Sequence, residues 1–369
     1  MSAPQLRSDQ SDIVVTVEPF PSVPNLAVIW RELESRAAPS FFLSWTWIGT
    51  WLEVTQLEPA VVVARSSGRL VGLSLLNETR RGSLGLRWQM LSLNEAGRSE
   101  QDCIMIEDNG FLAETGMEAR VTSSCLGYLV SSMPDWRELR LSGVPKGILE
   151  TARSLHIPVR IEAERPSYFV DIGPGSVDGG LTHLSRNTRQ QINRSARLYQ
   201  VRGEVTLRRS ATLDEGLARF SELEELHQRR WRAKGKPGAF AAPFFGQFHR
   251  ALLTRGFAAG QVDVLRVAAA SQTVGLLYTF FYGDGACAYQ SGFEFESDPR
   301  LKPGLVSHHL AIESCREMGL RRYRLLAGDS RYKRSLATGS YELYWLSIRR
   351  PDFAFHVEKL ARKVTGREP

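Results

Sequence analysis

Apolar residues recur along this chain with two periods, and the change from one to the other marks the elements. Val61 to Arg65 and Leu70 to Asn77 are β-like runs joined by Ser66-Ser-Gly-Arg69, which predicts a hairpin. Arg87 to Leu93 and Glu138 to Gly143 continue as strands, with a broken amphipathic helix expected over Leu112 to Met133. Val262 to Val267, Thr273 to Tyr282 and Ala286 to Phe295 repeat the strand pattern in the second half, the last pair joined by Gly283-Asp-Gly285. Leu305, His308, Ala311, Ile312, Cys315 and Met318 then fall at helical spacing, with Gly319 where the helix should stop. Tyr323 to Leu326 and Tyr341 to Ile348 are further strands, and Phe353 to Val364 a short basic helix.

Other helices are marked by their caps. Ser44 precedes Trp47, Ile48 and Trp51 and predicts a buried helix. Thr212-Leu-Asp-Glu215 fits a capping box and opens a helix whose apolar stripe is Leu213, Leu217, Phe220, His227 and Trp231. Phe245, Phe248, His249, Leu252 and Leu253 predict another, stopped at Gly256. Leu184, Thr188, Ile192, Ala196 and Tyr199 give one side of a helix whose other sides carry Arg186, Arg189, Arg194 and Arg197. Residues up to about Thr16 read as a loose arm.

The order of these elements occurs twice. Val71-Gly72-Leu73 opens a strand after a polar turn, as Val274-Gly275-Leu276 does. Leu139-Arg-Leu-Ser-Gly143 ends the first strand, helix, strand series as Arg324-Leu-Leu-Ala-Gly328 ends the second. An internal duplication is therefore expected, with residues 1–180 as the first copy and 181–369 as the second. The boundary falls in the turn-rich Asp171-Ile-Gly-Pro-Gly-Ser-Val-Asp-Gly-Gly180.

Composition narrows the chemistry. With 369 residues and 43% hydrophobic content the chain can hold two cores. Its formal charge of +7 favours an anionic partner such as a nucleotide cofactor, a nucleotide sugar, RNA or a membrane surface. Cys103, Cys125, Cys287 and Cys315 show no paired spacing, so free thiols and no structural zinc are expected. Neither an apolar leader in Met1 to Gln10 nor a run of about 18 apolar residues is present, which predicts a cytoplasmic protein without stable membrane insertion.

The chemistry concentrates at Lys302-Pro-Gly304. A helix starting there turns free N–H groups and the positive end of its dipole toward the loop, which suits a phosphate or diphosphate. Gly304 permits close approach, Pro303 sets the helix entry, and Lys302 or Arg300 adds charge. Arg189 and Arg194 are candidates for holding a substrate phosphate. Asp329, Tyr332 and Lys333 follow the next strand, at the edge where open α/β sheets place their sites.

His227-Gln-Arg-Arg-Trp231, Tyr289-Gln-Ser-Gly-Phe293, Lys302-Pro-Gly304 and Gly328-Asp-Ser-Arg-Tyr-Lys333 together resemble the GNAT superfamily of acyltransferases. The two-copy layout is similar to the branch holding FemABX-type transferases and the BioF2-like or CelD-like acetyltransferases. Of the family's usual glycine-rich diphosphate loop, Arg300-Leu-Lys-Pro-Gly-Leu-Val306 keeps one glycine.

The resemblance implies an α/β fold of tandem GNAT-like domains. Each would be a mixed, mostly antiparallel sheet flanked by helices around a central βαβ unit. The second copy would be the catalytic one, transferring an acyl group from acetyl-CoA or another acyl-CoA to a sugar, nucleotide sugar or small metabolite, without a metal. Ser291, Gly292, Phe293, Lys302, Pro303, Gly304 and Leu305 would contact the donor. His227, Asp329 and Glu294 are the available bases, Tyr332 the acid for the leaving thiolate, and Lys333 an anchor for an acceptor's anionic group. Trp231 joins Arg189 and Arg194 on the substrate side. Two alternatives stay open: an aminoacyl-tRNA donor, and a non-catalytic subunit of a polysaccharide machinery. DNA is not an expected partner.

Overall fold

The computed structural model describes residues 12–83, 86–133, 135–175 and 182–350. Most of the turn-rich boundary after Asp171 and the helix expected over Phe353 to Val364 lie outside the described residues. The strands are β1 (Ile13–Glu18), β2 (Ala60–Ser66), β3 (Arg69–Ser83), β4 (Leu86–Leu93), β5 (Leu112–Ala113), β6 (Glu138–Pro145) and β7 (Val159–Asp171), then β8 (Val205–Arg208), β9 (Val262–Ala269), β10 (Gln272–Tyr282), β11 (Gly285–Phe293), β12 (Arg322–Ala327) and β13 (Gly339–Arg349). The helices are α1 (Val23–Glu34), α2 (Trp45–Thr55), α3 (Glu118–Ser131), α4 (Lys146–Ser154), α5 (Arg186–Gln200), α6 (Leu213–Arg232), α7 (Pro243–Phe257), α8 (Pro303–Glu317) and α9 (Arg331–Leu336).

All thirteen strands join one sheet in the order β1-β2-β3-β4-β6-β13-β7-β12-β11-β10-β9-β8, with β5 on β3. The order is palindromic about the β13–β7 pair. Each half begins with four strands in antiparallel contact, makes one parallel contact (β4 with β6, β11 with β12), and ends on antiparallel strands. The last strand of each half is exchanged: β13 pairs with both β6 and β7, while β7 pairs with both β13 and β12. The halves are therefore interlocked in space.

Local detail supports the duplication. Val71 and Val274 are each the extra residue of a β-bulge, against β2 in one half and β9 in the other. The glycine after each lies under the crossover helix: a Cβ on Gly72 would collide with Val121 of α3, and one on Gly275 would meet Ser307 of α8 at 2.6 Å. At the start of the parallel contact, Glu138 faces Arg349 at 3.8 Å in one half, and Arg322 faces Asp171 at 2.8 Å in the other with the charges reversed.

One continuous apolar cluster lies between one face of the sheet and α1, α2, α6 and α7, so that it spans both halves. Phe41 stacks on Phe280 with ring centroids 4.4 Å apart, and Trp47 meets Phe248 at 4.9 Å. The helix expected after Ser44 is α2, fully buried at Trp47, Ile48 and Trp51 and capped by Ser44 Oγ accepting from Trp47 N–H. The opposite face is covered by α3 and α4 in the first half and by α5 and α8 in the second.

Some expectations need correction. The arm up to Thr16 is ordered from Ile13 as the edge strand β1, held in register against β2 from Ile13↔Ser66 to Glu18↔Val61. The helix expected over Leu112 to Met133 begins only at Glu118, because Leu112 and Ala113 pair with β3.

The loop between β4 and α3 is long and reaches from one half to the other. Gly143 makes its anchorage possible: its φ is +64°, and a Cβ there would collide with the Ile106 carbonyl oxygen. Replacing Gly143 by Ala is expected to destabilise the protein by about 2–4 kcal/mol, from left-handed strain plus the clash with backbone. Denaturant unfolding measures this, with a shift of the midpoint at unchanged slope as the expected sign.

Candidate functional site

The two parallel contacts are short, and beyond them the strands part. β4 and β6 pair over Met90↔Glu138 to Ser92↔Arg140, and β11 and β12 over Gly285↔Arg322 to Cys287↔Arg324. A fork opens after each.

The forks differ in content. In the first, Asn109 bridges the parting strands, its Nδ2 donating to the Leu93 carbonyl at 2.9 Å and its backbone N–H to the Gly143 carbonyl at 3.1 Å. In the second, no single side chain among the described residues joins β11 to β12 beyond the paired rungs. Tyr289 is there the extra residue of a β-bulge against β10, two residues past the last rung, whereas β4 pairs with β3 without any shift. Bulges re-aim the groups that follow them.

The diphosphate candidate stands beside the second fork. Lys302 is the N-cap of α8, with no side-chain cap, and its own N–H donates to Ser195 Oγ of α5 at 2.8 Å. Val306 N–H returns to the Lys302 carbonyl, and among the described residues the amides of Gly304 and Leu305 have no protein acceptor. A Cβ on Gly304 would meet the Phe293 ring at 3.2 Å, so the glycine keeps this corner open. Below it, Ser307 Oγ and His308 Nε2 are buried without partners. His308 Nδ1 lies 2.9 Å from the Tyr323 hydroxyl, and its ring stacks on Tyr332 at 5.3 Å. Burial and the Lys333 ammonium hold the His308 pKa down at about 3, so the ring is neutral.

The most unusual electrostatics sit where β12 ends. Leu326 has φ +64° and Gly328 φ +110°, which turns the chain out of the sheet. Glu107, from the long loop of the first half, is 4% exposed and accepts the Ala327 N–H at 3.1 and 2.9 Å. Lys333 of α9 donates to the carbonyls of Leu326 and Ala327 at 3.1 and 2.7 Å. Burial pushes Glu107 up to about 7, against the pull of the Ala327 amide and Lys333, and burial lowers Lys333 to about 8. Next to them Asp108 accepts from Tyr341 at 2.8 Å and from Arg324 at 3.3 Å. The Tyr289 hydroxyl donates to the Ile104 carbonyl of the same loop.

The residues singled out by sequence divide into two groups. Ser291, Gly292 and Phe293 of β11, Lys302 to Leu305 of α8, and Tyr332 and Lys333 of α9 gather around the second fork. Tyr332 is 36% exposed, and burial of its phenol raises its pKa to about 12. Each of the three candidate bases has a protein partner. His227 Nε2 accepts from Ala239 N–H at 3.3 Å, leaving Nδ1–H to donate to the Ser291 carbonyl at 3.4 Å. Glu294 is half-buried and paired with Arg229 at 2.9 Å, and Asp329 is paired with Arg334. Trp231 lies 5.7 Å from His227 and carries Lys234 and Lys236 over its ring. Arg189 is half-buried on α5, while exposed Arg194 helps Arg300 hold Asp298 down at about 2.

Glu107 has no sequence signal of its own. It stands in the half expected to be silent, in a stretch with no recurring pattern, and only the reach of its loop from one half to the other brings it to the second fork.

Residues 186–334 match the family model described as an acetyltransferase (GNAT) domain, so the second half of the chain carries a GNAT-superfamily acyltransferase domain. Solved structures with the same fold span more than nine tenths of the chain. FemX shares 10% identity at a TM-score of 0.59, over 91% of this chain and 98% of its own. L-PGS from Bacillus licheniformis shares 9% at 0.53, over 96% and 99%. The C-terminal domain of a putative lysylphosphatidylglycerol synthetase from Agrobacterium fabrum shares 10% at 0.52, over 92% and 97%. No curated protein matches the sequence significantly. Among the described residues no helix is long and apolar enough to cross a membrane, and no group of side chains could hold a metal ion.

Proposed function

We propose that the second half transfers an acyl group from acyl-CoA to an amine or hydroxyl of a sugar, nucleotide sugar or small metabolite, and that the first half shapes and supports the site. The observation that carries this reading is the open fork between β11 and β12 beside the unpartnered Gly304 and Leu305 amides. The donor set fits CoA: amides and a helix dipole for the diphosphate, a glycine where the backbone must be approached, and buried polar atoms of Ser307 and His308 for the amide-bearing arm. In the first half the matching gap is filled by Asn109, which argues against a second donor cleft in residues 1–180; what that half contributes to the reacting centre is the loop bearing Glu107.

In the transfer, Glu107 takes the proton of the attacking amine or hydroxyl as the new bond to the thioester carbonyl forms. Backbone N–H groups of β11 beyond the Tyr289 bulge hold the oxyanion. The carbon–sulfur bond then breaks, and Tyr332, protonated across the physiological range, supplies a proton to the departing thiolate. Lys333 keeps the carbonyl ends of β12 fixed and holds down the proton affinity of Glu107.

A thermal-shift screen tests the donor. Acetyl-CoA and CoA are expected to raise the unfolding midpoint, since both bind only the folded form, and no shift with either counts against the reading. An aminoacyl-tRNA donor, the alternative that the FemABX-type resemblance implies, is separated by ribonuclease: it should abolish transfer in that case and leave CoA-dependent transfer unchanged.

A further inference from the structure

A groove of about 390 Å³ lies in the middle of the sheet where β6, β13 and β7 run side by side, lined by Arg140, Ser142, Arg160, Glu162, Trp345 and Arg349. Leu139 and Leu141 of β6 point into the α3 and α4 core, so Arg140 and Ser142 face the other side. Tyr323 and Leu325 of β12 likewise point into the α5 and α8 core, and Arg324, reaching Asp108, faces that same other side. Groove and Glu107 loop therefore share one face of the sheet.

Arg165 stands between the groove and the fork. Trp345 in the groove floor carries the Arg165 guanidinium 4.9 Å from its ring centroid, and Arg165 is one of the charges acting on Glu107. From Glu162 along β7 to Ser167, the partner of Ala327, is roughly 17 Å at about 3.3 Å per residue. An extended sugar nucleotide, or a phosphorylated glycan of more than one ring, spans that distance.

The charge is unbalanced. Arg140 and Arg349 both lean on Glu138, at 3.1 and 3.8 Å, and Arg160 on Glu162 at 3.3 Å. With Arg165, four guanidinium groups meet Glu138 and Glu162. Glu95, beside Ser142 and Arg140, is pushed by burial up to about 8 and so is largely uncharged near neutral pH, which leaves Asp102, acting on Arg140, as the third carboxylate. The buried Arg349 Nε has no partner. Planar guanidinium groups converging beside an indole suit a phosphate joined to a ring.

We infer that this groove is the acceptor site and that it takes a phosphate-bearing sugar, with the phosphate on Arg140, Arg160 and Arg349 and the sugar extending over Trp345 toward Glu107. The inference rests on the acyl-transfer reading and deepens it. The phosphate can belong to a soluble sugar phosphate or to a lipid-linked one, since both present the same group.

Calorimetric titration of the full chain with glucose 1-phosphate, UDP-glucose and glucose tests it, together with sedimentation on phosphatidylcholine vesicles with and without a polyprenyl-phosphate sugar. At least one phosphorylated probe should bind at least 10-fold more tightly than glucose, and the Arg140→Gln/Arg160→Gln variant should lose at least 10-fold of that affinity while keeping its unfolding midpoint and its affinity for acetyl-CoA. Preference for the vesicle-borne probe assigns the phosphate to a lipid carrier, and preference for a soluble one to a free metabolite. Equal binding of glucose and the phosphorylated probes, binding unaffected by the double variant, or no binding of any phosphorylated probe overturns the inference. Binding of acetyl-CoA without any sugar phosphate removes the groove and leaves the donor reading standing; the reverse result removes the donor reading alone.

Discussion

Acetyl-CoA is expected to bind the Gly304→Glu variant at least 100-fold more weakly than the unaltered protein in a calorimetric titration. Gly304 is the second residue of α8, its amide is unpartnered, and the Phe293 ring stands 3.2 Å from where a Cβ would be. A carboxylate there meets the donor's diphosphate at close range. One such like-charge contact at 4 Å costs about 4 kcal/mol at the effective dielectric of a protein surface, more than the ~2.7 kcal/mol that a 100-fold loss requires. The same carboxylate is favourable for the helix itself, because it stands at the positive end of the dipole. The variant should therefore unfold no earlier than the parent. Gly304→Ala, which requires only a slight shift of the ring, should lose less than 10-fold. Equal affinity of all three proteins counts against a diphosphate at this helix start.

Replacing Glu107 by Gln should lower kcat/KM by about 10²–10⁴-fold, the usual contribution of a general base. The carboxamide oxygen of the new side chain could still accept the Ala327 N–H, so the loop should stay in place. The pH profile separates a base from a structural carboxylate. Burial raises Glu107 to about 7, so activity should fall as pH drops through about 7, and this acid limb should vanish in the variant. Lys333→Met should move the limb to higher pH, because the ammonium now holds the carboxyl pKa down. Stability must change in the opposite sense. A carboxyl whose folded pKa lies above its unfolded value binds its proton more tightly in the folded state, so its contribution declines as pH rises from about 4.5 to about 7. That decline should be missing from the Gln variant.

The sequence reveals most of what is regular here. Alternating strands, the capped helices after Ser44 and Thr212, and α8 with its Gly319 stop all follow from local periodicity. The Val-Gly pairs point to the duplication because each copy needs a bulge and then a residue without a side chain beneath its crossover helix. The central strand β7 escapes such a reading. Arg160, Glu162, Glu164 and Arg165 make it polar, and Pro166 interrupts it, yet the proline is tolerated because its carbonyl serves Gly328 N–H where β12 has already ended. The strand exchange is equally invisible, since pairing between distant segments leaves no periodic trace. Glu107 is hidden for a related reason. Its burial beside Lys333 is set by a loop of one half reaching the fork of the other, so nothing within several residues of it distinguishes it from a surface glutamate.

Diffraction from crystals of the intact protein grown with CoA tests the central claim most directly. The account predicts the diphosphate within hydrogen-bonding distance of the Gly304 and Leu305 amides, the pantetheine arm between Tyr289 and Leu325, and the thiol toward Glu107. CoA bound anywhere else, or a gap between β11 and β12 that stays closed to it at saturating concentration, would contradict the account.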